Sequence, residues 1–252
     1  MKELVAKVIA ARVKDGDTIG IGSGRTAEAA IAAIGVRVKQ ERLNIRAFST
    51  SPHSTRLARS LGINVLAPTG NESMQFAFDG ADEIDPQFNL IKGVGGALLA
   101  EKVVARRAGG IVVLATADKL VSRLGERFPV PIEVIPEAVD DVEAQLRALG
   151  ATRVFLRAAS YQYATLQLTA LSPGEAPLIA SDKLVPAVTE HGNLLLDAIF
   201  PVVDPALADR LKLVTGVVET GIFVGLTREV IFVRDGVVWS RLPDGSGDRK
   251  IS

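Results

Sequence analysis

Residues 17–31, Asp17-Thr-Ile-Gly-Ile-Gly22-Ser-Gly24-Arg-Thr26-Ala-Glu-Ala-Ala-Ile31, pass from a short apolar run through glycines into an alanine-rich stretch. A strand, a glycine turn and a helix in that order open a βαβ fold. The flanking residues continue the alternation. Upstream, apolar residues at 4, 5, 8 and 9 among charges predict a helix and not a secretory leader. Downstream, the spacing predicts a helix to about residue 40, a strand over 44–49, a short helix over 54–60 and a strand over 63–66. An apolar stretch then ends at Phe78, a helix runs over about 97–107, and residues 110–115 (GIVVLA) form a buried strand. Continuous apolar strands alternating with helices predict a parallel sheet covered on both faces, with ligands beyond the carboxyl ends of its strands.

At residues 128–136 (FPVPIEVIP) three prolines punctuate an extended segment, followed by an amphipathic helix over 138–149 and β-rich stretches to about residue 200. Residues 128–203 are therefore expected to form a smaller α+β domain beside the larger domain, residues 1–127, which residues 204–252 are expected to complete. The tail offers strands at 216–219 and 230–233, and a turn at Asp235-Gly236.

Composition narrows the chemistry. Lys and Arg number 29, matching 29 Asp and Glu, so no global basic field favours nucleic acid. No apolar run approaches the ~20 residues of a membrane span, and the expected location is cytoplasmic. With no cysteine and two histidines, thiol nucleophiles, thiolate metal sites and multi-histidine metal sites are excluded. Carboxylates, lysines, hydroxyls and backbone amides remain.

Two segments could carry such chemistry. The glycine turn presents backbone N–H groups and the positive end of a helix. It fits a phosphate or polyol cradle, a ligand-free turn, or the dinucleotide pattern G-x-G-x-x-A over residues 22–27. For the last, Ser49-Thr50-Ser51 stands where an acid is expected. The second segment is Asp79-Gly80-Ala81-Asp82-Glu83-Ile-Asp85, followed by Lys92-Gly93-Val94-Gly95-Gly96 and Glu101-Lys102. Four carboxylates within seven positions repel one another unless a cation or substrate hydroxyls answer them, and Lys92 is the internal answer. Glu101, early in the following helix, would be kept ionised by the helix N-terminal field, as a general base requires. The alternatives are an acidic solvated loop and a first-turn helix stabiliser. Lys119, after the strand ending at residue 115, lies either at the site or on an exposed helix. His53 either borders the site or sits in a capping turn, and His191 has no assigned role.

These blocks, with Gly192-Asn193 through Asp197 and residues 216–223 (GVVETGIF), resemble the A-type ribose-5-phosphate isomerases over most of the chain and in the same order. The resemblance implies a Rossmann-like α/β domain with a smaller ferredoxin-like α+β domain, interconversion of ribose 5-phosphate and ribulose 5-phosphate, no metal or organic cofactor, and a homodimer or homotetramer. By matching position, Glu101 would move a proton between C1 and C2 through an enediolate. Asp79 would assist ring opening, while Asp82 and Lys92 would hold sugar oxygens and stabilise the developing charge. Ser23, Gly24, Arg25, Thr26, Asp79, Gly80, Ala81, Asp82, Lys92, Gly93, Val94, Gly95 and Lys119 would bind substrate, with Lys119 and Lys2 at its phosphate. The chain departs from the family pattern at Arg25, Val94, the residues before Lys119, and Thr215. Val94 bears most on activity, because its side chain could restrict backbone approach.

Two other readings fit less of the sequence. A hexosamine-phosphate isomerase-deaminase should place a histidine near the base, and only His53 is available. A sugar-phosphate sensor should carry a basic helix-turn-helix, and neither the N-terminus nor the neutral charge provides one.

Overall fold

The computed structural model describes residues 2–67, 69, 72–159 and 185–251. Helix α1 (Lys2–Arg12) buries Val5, Ala6, Ile9 and Ala10, one face at helical spacing, against α2 (Gly24–Glu41), which answers with Ala27, Ala30, Ile31, Ile34 and Val38. Strands β1 (Thr18–Ile21), β2 (Arg46–Ser49), β3 (Asn64–Val65), β4 (Phe76–Gly80) and β7 (Ile111–Thr116) are joined by α2, α3 (Pro52–Ser60) and α4 (Leu98–Arg107). The short β5 (Glu83–Ile84) and β6 (Leu90–Ile91) lie between β4 and α4.

After β7, a 3-10 turn (Ala117–Lys119) leads to β8 (Val130–Val134), α5 (Val139–Ala148), β9 (Arg153–Leu156), β10 (Leu194–Ile199), α6 (Pro205–Lys212) and β11 (Val217–Thr220). The chain ends with β12 (Ile222–Phe223), β13 (Thr227–Arg234), β14 (Val237–Arg241) and β15 (Asp248–Lys250).

The larger sheet has the order β3-β2-β1-β4-β7-β13-β14-β15. Its first six strands are parallel, and β14 and β15 turn back antiparallel. In chain order those six read 3-2-1-4-5-6, the doubly wound Rossmann arrangement, whose strand order reverses between β1 and β4. Asp235 (φ 52°) and Gly236 (φ 75°) make the β13–β14 turn with both residues left-handed, the combination that matches hairpin twist. Arg12 and Glu229, 217 positions apart, form a bidentate pair at 2.5 and 2.9 Å that ties α1 to β13.

The smaller sheet, β11-β8-β10-β9, is antiparallel throughout. With α5 and α6 it forms a βαββαβ ferredoxin-like unit. Here the structure departs from the expected course. Leu207 and Leu211 of α6 pack in the smaller sheet's core, and β11 is an edge strand of that sheet, so the return to the larger sheet starts after β11 and not at residue 204. Residues 160–184, part of the expected β-rich stretch, lie outside the described residues. A third small sheet, β12-β6-β5, bridges the two.

Candidate active site

The site grows from the strand-order reversal. The Gly22 N–H donates to Phe78 O at 2.9 Å, extending the β1–β4 pairing by one residue. A β-carbon on Gly22 would lie 2.1 Å from Asp79 Oδ1, so only glycine lets the Asp79 carboxylate cross the end of β1. That oxygen accepts from the Ser23 N–H (3.0 Å) and the Gly80 N–H (2.7 Å). Ser23 is the N-cap of α2, yet its hydroxyl makes no cap and instead donates to Glu101 Oε1 at 2.7 Å. The α2 amides are thus left without their usual side-chain cap. Ser54, on the first turn of α3, supports the turn from behind by donating to Gly22 O at 2.8 Å.

Glu101 stands in the first turn of α4 and is buried, as are Asp79 and Lys92. The Lys92 ammonium sits 3.0 Å from Asp79 Oδ2 and 3.3 Å from Glu101 Oε2, and donates to Gly80 O at 2.5 Å. Burial acts to lower its pKa, but Asp79, Glu101 and Asp82 together outweigh burial and hold it above the ordinary lysine value. Three carboxylates thus share one cation. With all of them ionised the cluster would carry two net negative charges, and burial, opposed by Lys92 and reinforced by Glu101, pushes the Asp79 carboxyl up to about 7. Asp82, partly exposed, is also raised, chiefly by the atoms that displace water around it.

The four-carboxylate block divides. Asp79 and Asp82 face Lys92, whereas Glu83 is fully buried on the other side and accepts the Gly125, Arg127 and Phe128 N–H groups at 2.7, 2.5 and 2.8 Å. Asp85 closes its own loop, accepting from the Gln87 and Asn89 N–H groups and from the Asn89 amide. These two are fold carboxylates. In the following turn Gly93 has φ 100° and Gly96 φ 83°, while Val94 lies outside the left-handed region, so its backbone conformation does not call for glycine. Val94 N–H donates to Asp82 Oδ2 at 3.2 Å; Gly95 is exposed beside it.

Lys119 closes the 3-10 turn after β7, half-buried, its ammonium 4.8 Å from the centre of the Phe128 ring. The alternative of an exposed helix lysine is thereby removed. Lys2 is held below its ordinary pKa first by burial and then by the positive charge of Arg25, with a smaller push from Lys119, against the opposing carboxylates of Glu3 and Glu28. Gly24 and Thr26 begin α2, where Arg25 is exposed. Gly80 and Ala81, both partly buried, follow Asp79. His53 does not join the cluster: it is exposed and faces Glu28 of α2 at 3.4 Å. His191 lies in the turn before β10, 3.9 Å from Glu133. Among the described residues no three His, Asp or Glu side chains converge to hold a metal.

Residues 46–236 match the family described as ribose 5-phosphate isomerase A (phosphoriboisomerase A). Ribose-5-phosphate isomerase A of Methanothermobacter thermautotrophicus is 38% identical over 233 residues, 92% of either chain. The chain belongs to the ribose 5-phosphate isomerase A family. The family match takes in Asp79, Asp82, Lys92, Glu101 and Lys119; the glycine turn precedes it. Among solved ribose 5-phosphate isomerases, that of Methanocaldococcus jannaschii superimposes with a TM-score of 0.82 at 32% identity, over 96% of this chain and 97% of that one. A second, described as in complex with phospho-erythronic acid, gives 0.83 at 32% identity with the same coverage. The Rossmann-like sheet and its smaller companion are thus the fold of ribose 5-phosphate isomerase A, and the cluster lies at that fold's strand-order reversal.

Proposed function

We propose that the chain interconverts D-ribose 5-phosphate and D-ribulose 5-phosphate by moving one proton between C2 and C1 through an enediolate. The observation that carries this reading is the buried Lys92 ammonium held between the Asp79 and Glu101 carboxylates, with Ser23 fixing Glu101 from the other side. Aldose–ketose isomerisation needs a carboxylate base, a cation for the developing oxyanion and an anchor for the phosphate. Glu101 is the base. Once it has taken the substrate proton its charge is gone, so its hold on Lys92 weakens as negative charge appears on the sugar oxygen. The ammonium then serves the enediolate.

Asp79, whose carboxyl is pushed up to about 7, exchanges a proton near neutral pH and assists ring opening. Asp82 accepts from a sugar hydroxyl at the rim. The phosphate is held by Lys2, Arg25 and Lys119 with the uncapped amides of α2, and Ser23–Thr26, Gly80–Asp82 and Lys92–Gly95 line the sugar. Phospho-erythronic acid, reported with a relative, supports this reading, because its planar carboxylate has the charge and shape of an enediolate. The test is formation of ribulose 5-phosphate from ribose 5-phosphate by purified protein, with and without EDTA and with glucosamine 6-phosphate in parallel. Turnover of the pentose alone, unchanged by EDTA, is expected; no pentose turnover by folded protein sinks the reading.

The same reading treats residues 1–127 with 221–252 as one domain and 128–220 as the other, and places the protein in the cytoplasm as a homo-oligomer. No described helix is long and apolar enough to cross a membrane. Light scattering coupled to gel filtration measures the oligomer directly.

A further inference from the structure

Arg157 follows β9 directly, and its backbone N–H continues the ladder to Leu195 O at 2.8 Å. Its side chain is buried and points out of the smaller sheet toward the turn after β6. Nε donates to Asp197 Oδ2 at 2.7 Å and Nη2 to Asp197 Oδ1, the parallel fork a guanidinium makes with a carboxylate. The remaining nitrogen, Nη1, donates to Gly93 O at 2.8 Å and to Val94 O at 3.0 Å.

Gly93 C=O and Val94 N–H belong to one peptide unit, and in a planar trans peptide these two bonds point in opposite directions. Arg157 pulls the carbonyl to one side, and the N–H on the other side donates to Asp82 Oδ2 at 3.2 Å. Gly93, at φ 100°, is a residue that tolerates either orientation of its neighbouring peptide, so the plane needs an external hold.

We infer that Arg157, anchored by Asp197, is a positioning residue of the isomerase, setting the Asp82 carboxylate through the rigid peptide between Gly93 and Val94. The smaller sheet is then part of the catalytic apparatus and not merely a companion to it. This rests on the isomerase reading above, whose failure shows first, as a wild-type protein without pentose turnover.

A lysine in place of Arg157 keeps a cation against buried Asp197 but lacks the planar fork that spans the carboxylate and two carbonyls. Arg157→Lys, Asp82→Ala and the double variant form a cycle read as kcat/KM for ribose 5-phosphate, with thermal unfolding measured on each. Arg157→Lys alone should lower kcat/KM about tenfold, and it should add less than about twofold in the Asp82→Ala background, the non-additivity of residues acting through one group. Full additivity, or no loss in the single variant, overturns the proposal. So does an Arg157→Lys chain that does not fold, since the pair would then be a structural one.

Discussion

Lys92 and Lys102 are both buried, and their ammonium groups lie 5.7 and 4.7 Å from the centre of the same Phe223 ring, yet their surroundings drive them in opposite directions. Lys102 donates to Glu219 Oε1 (2.9 Å), Thr220 O (2.6 Å) and Ile222 O (2.9 Å). One carboxylate and two carbonyls do not offset burial, and its pKa falls to about 8. Around Lys92 three carboxylates do offset it, and the cation persists through neutral pH. A buried lysine is therefore not a chemical type; the number of carboxylates around it decides whether it is a reserve of positive charge or a clamp. Lys92 is suited to an oxyanion, and Lys102 fastens α4 to the strands that follow α6.

The comparison is broken most severely at the site itself. Glu101→Gln should lower kcat by about 10²–10⁴-fold with a smaller change in KM, the range for a lost general base, and near-normal turnover would remove Glu101 from that role. Lys92→Met, which leaves the three carboxylates without their cation, should lower kcat by about 10²–10³-fold, as loss of an oxyanion donor does elsewhere. Steady-state kinetics on folded protein checks both.

Lys102→Met tests the other lysine. It should cost about 1–3 kcal/mol in denaturant unfolding, because buried Glu219 loses the nearer of its two lysines and keeps Lys212 at 3.4 Å, while kcat of the folded fraction stays within about tenfold of wild type. A kcat loss as large as that of Lys92→Met would erase the distinction. Lys119→Ala should raise KM and leave kcat within a few-fold; an unchanged KM would take Lys119 out of the phosphate patch.

The pH dependence sharpens the contrast at the smallest scale. The Lys102 value in the folded chain, about 8, lies below its ordinary 10.5, so between these pH values the unfolded chain holds more protons and stability rises with pH. Lys92 works the other way: its raised value contributes stability that is complete below the ordinary lysine range and is lost only above it. Melting temperatures from pH 7.5 to 10 should show a rise in wild type that Lys102→Met lacks.

Much of this was legible in the sequence. The glycine turn, Asp79, Lys92 and Glu101 announced themselves because each stands next to an element boundary with a recognisable pattern. The carboxylate block divides because neighbours in sequence need not be neighbours in space: Glu83 opens β5 and is buried against the Gly125, Arg127 and Phe128 N–H groups, whereas Asp82 precedes the strand and accepts from the Val94 N–H. Asp85-Pro86 ahead of Asn89 was a local turn signature that could have been recognised. Asp197 ends a block that carries the family resemblance, but no sequence pattern joins it to Arg157, and only the antiparallel pairing of β9 with β10 makes them neighbours. The extent of the smaller unit was recoverable by counting. A βαββαβ unit needs two helices, residues 128–203 offered one, and α6 with β11 supplies the remainder.

The order of strands in the larger sheet has a consequence for synthesis. Its sixth strand, β13, and the Glu229 partner of Arg12 come from the last tenth of the chain, whereas every described strand of the smaller sheet is complete by Thr220. A chain growing from the ribosome can therefore finish its middle before its beginning, and α1 must wait for residues some 217 positions later before its salt bridge closes.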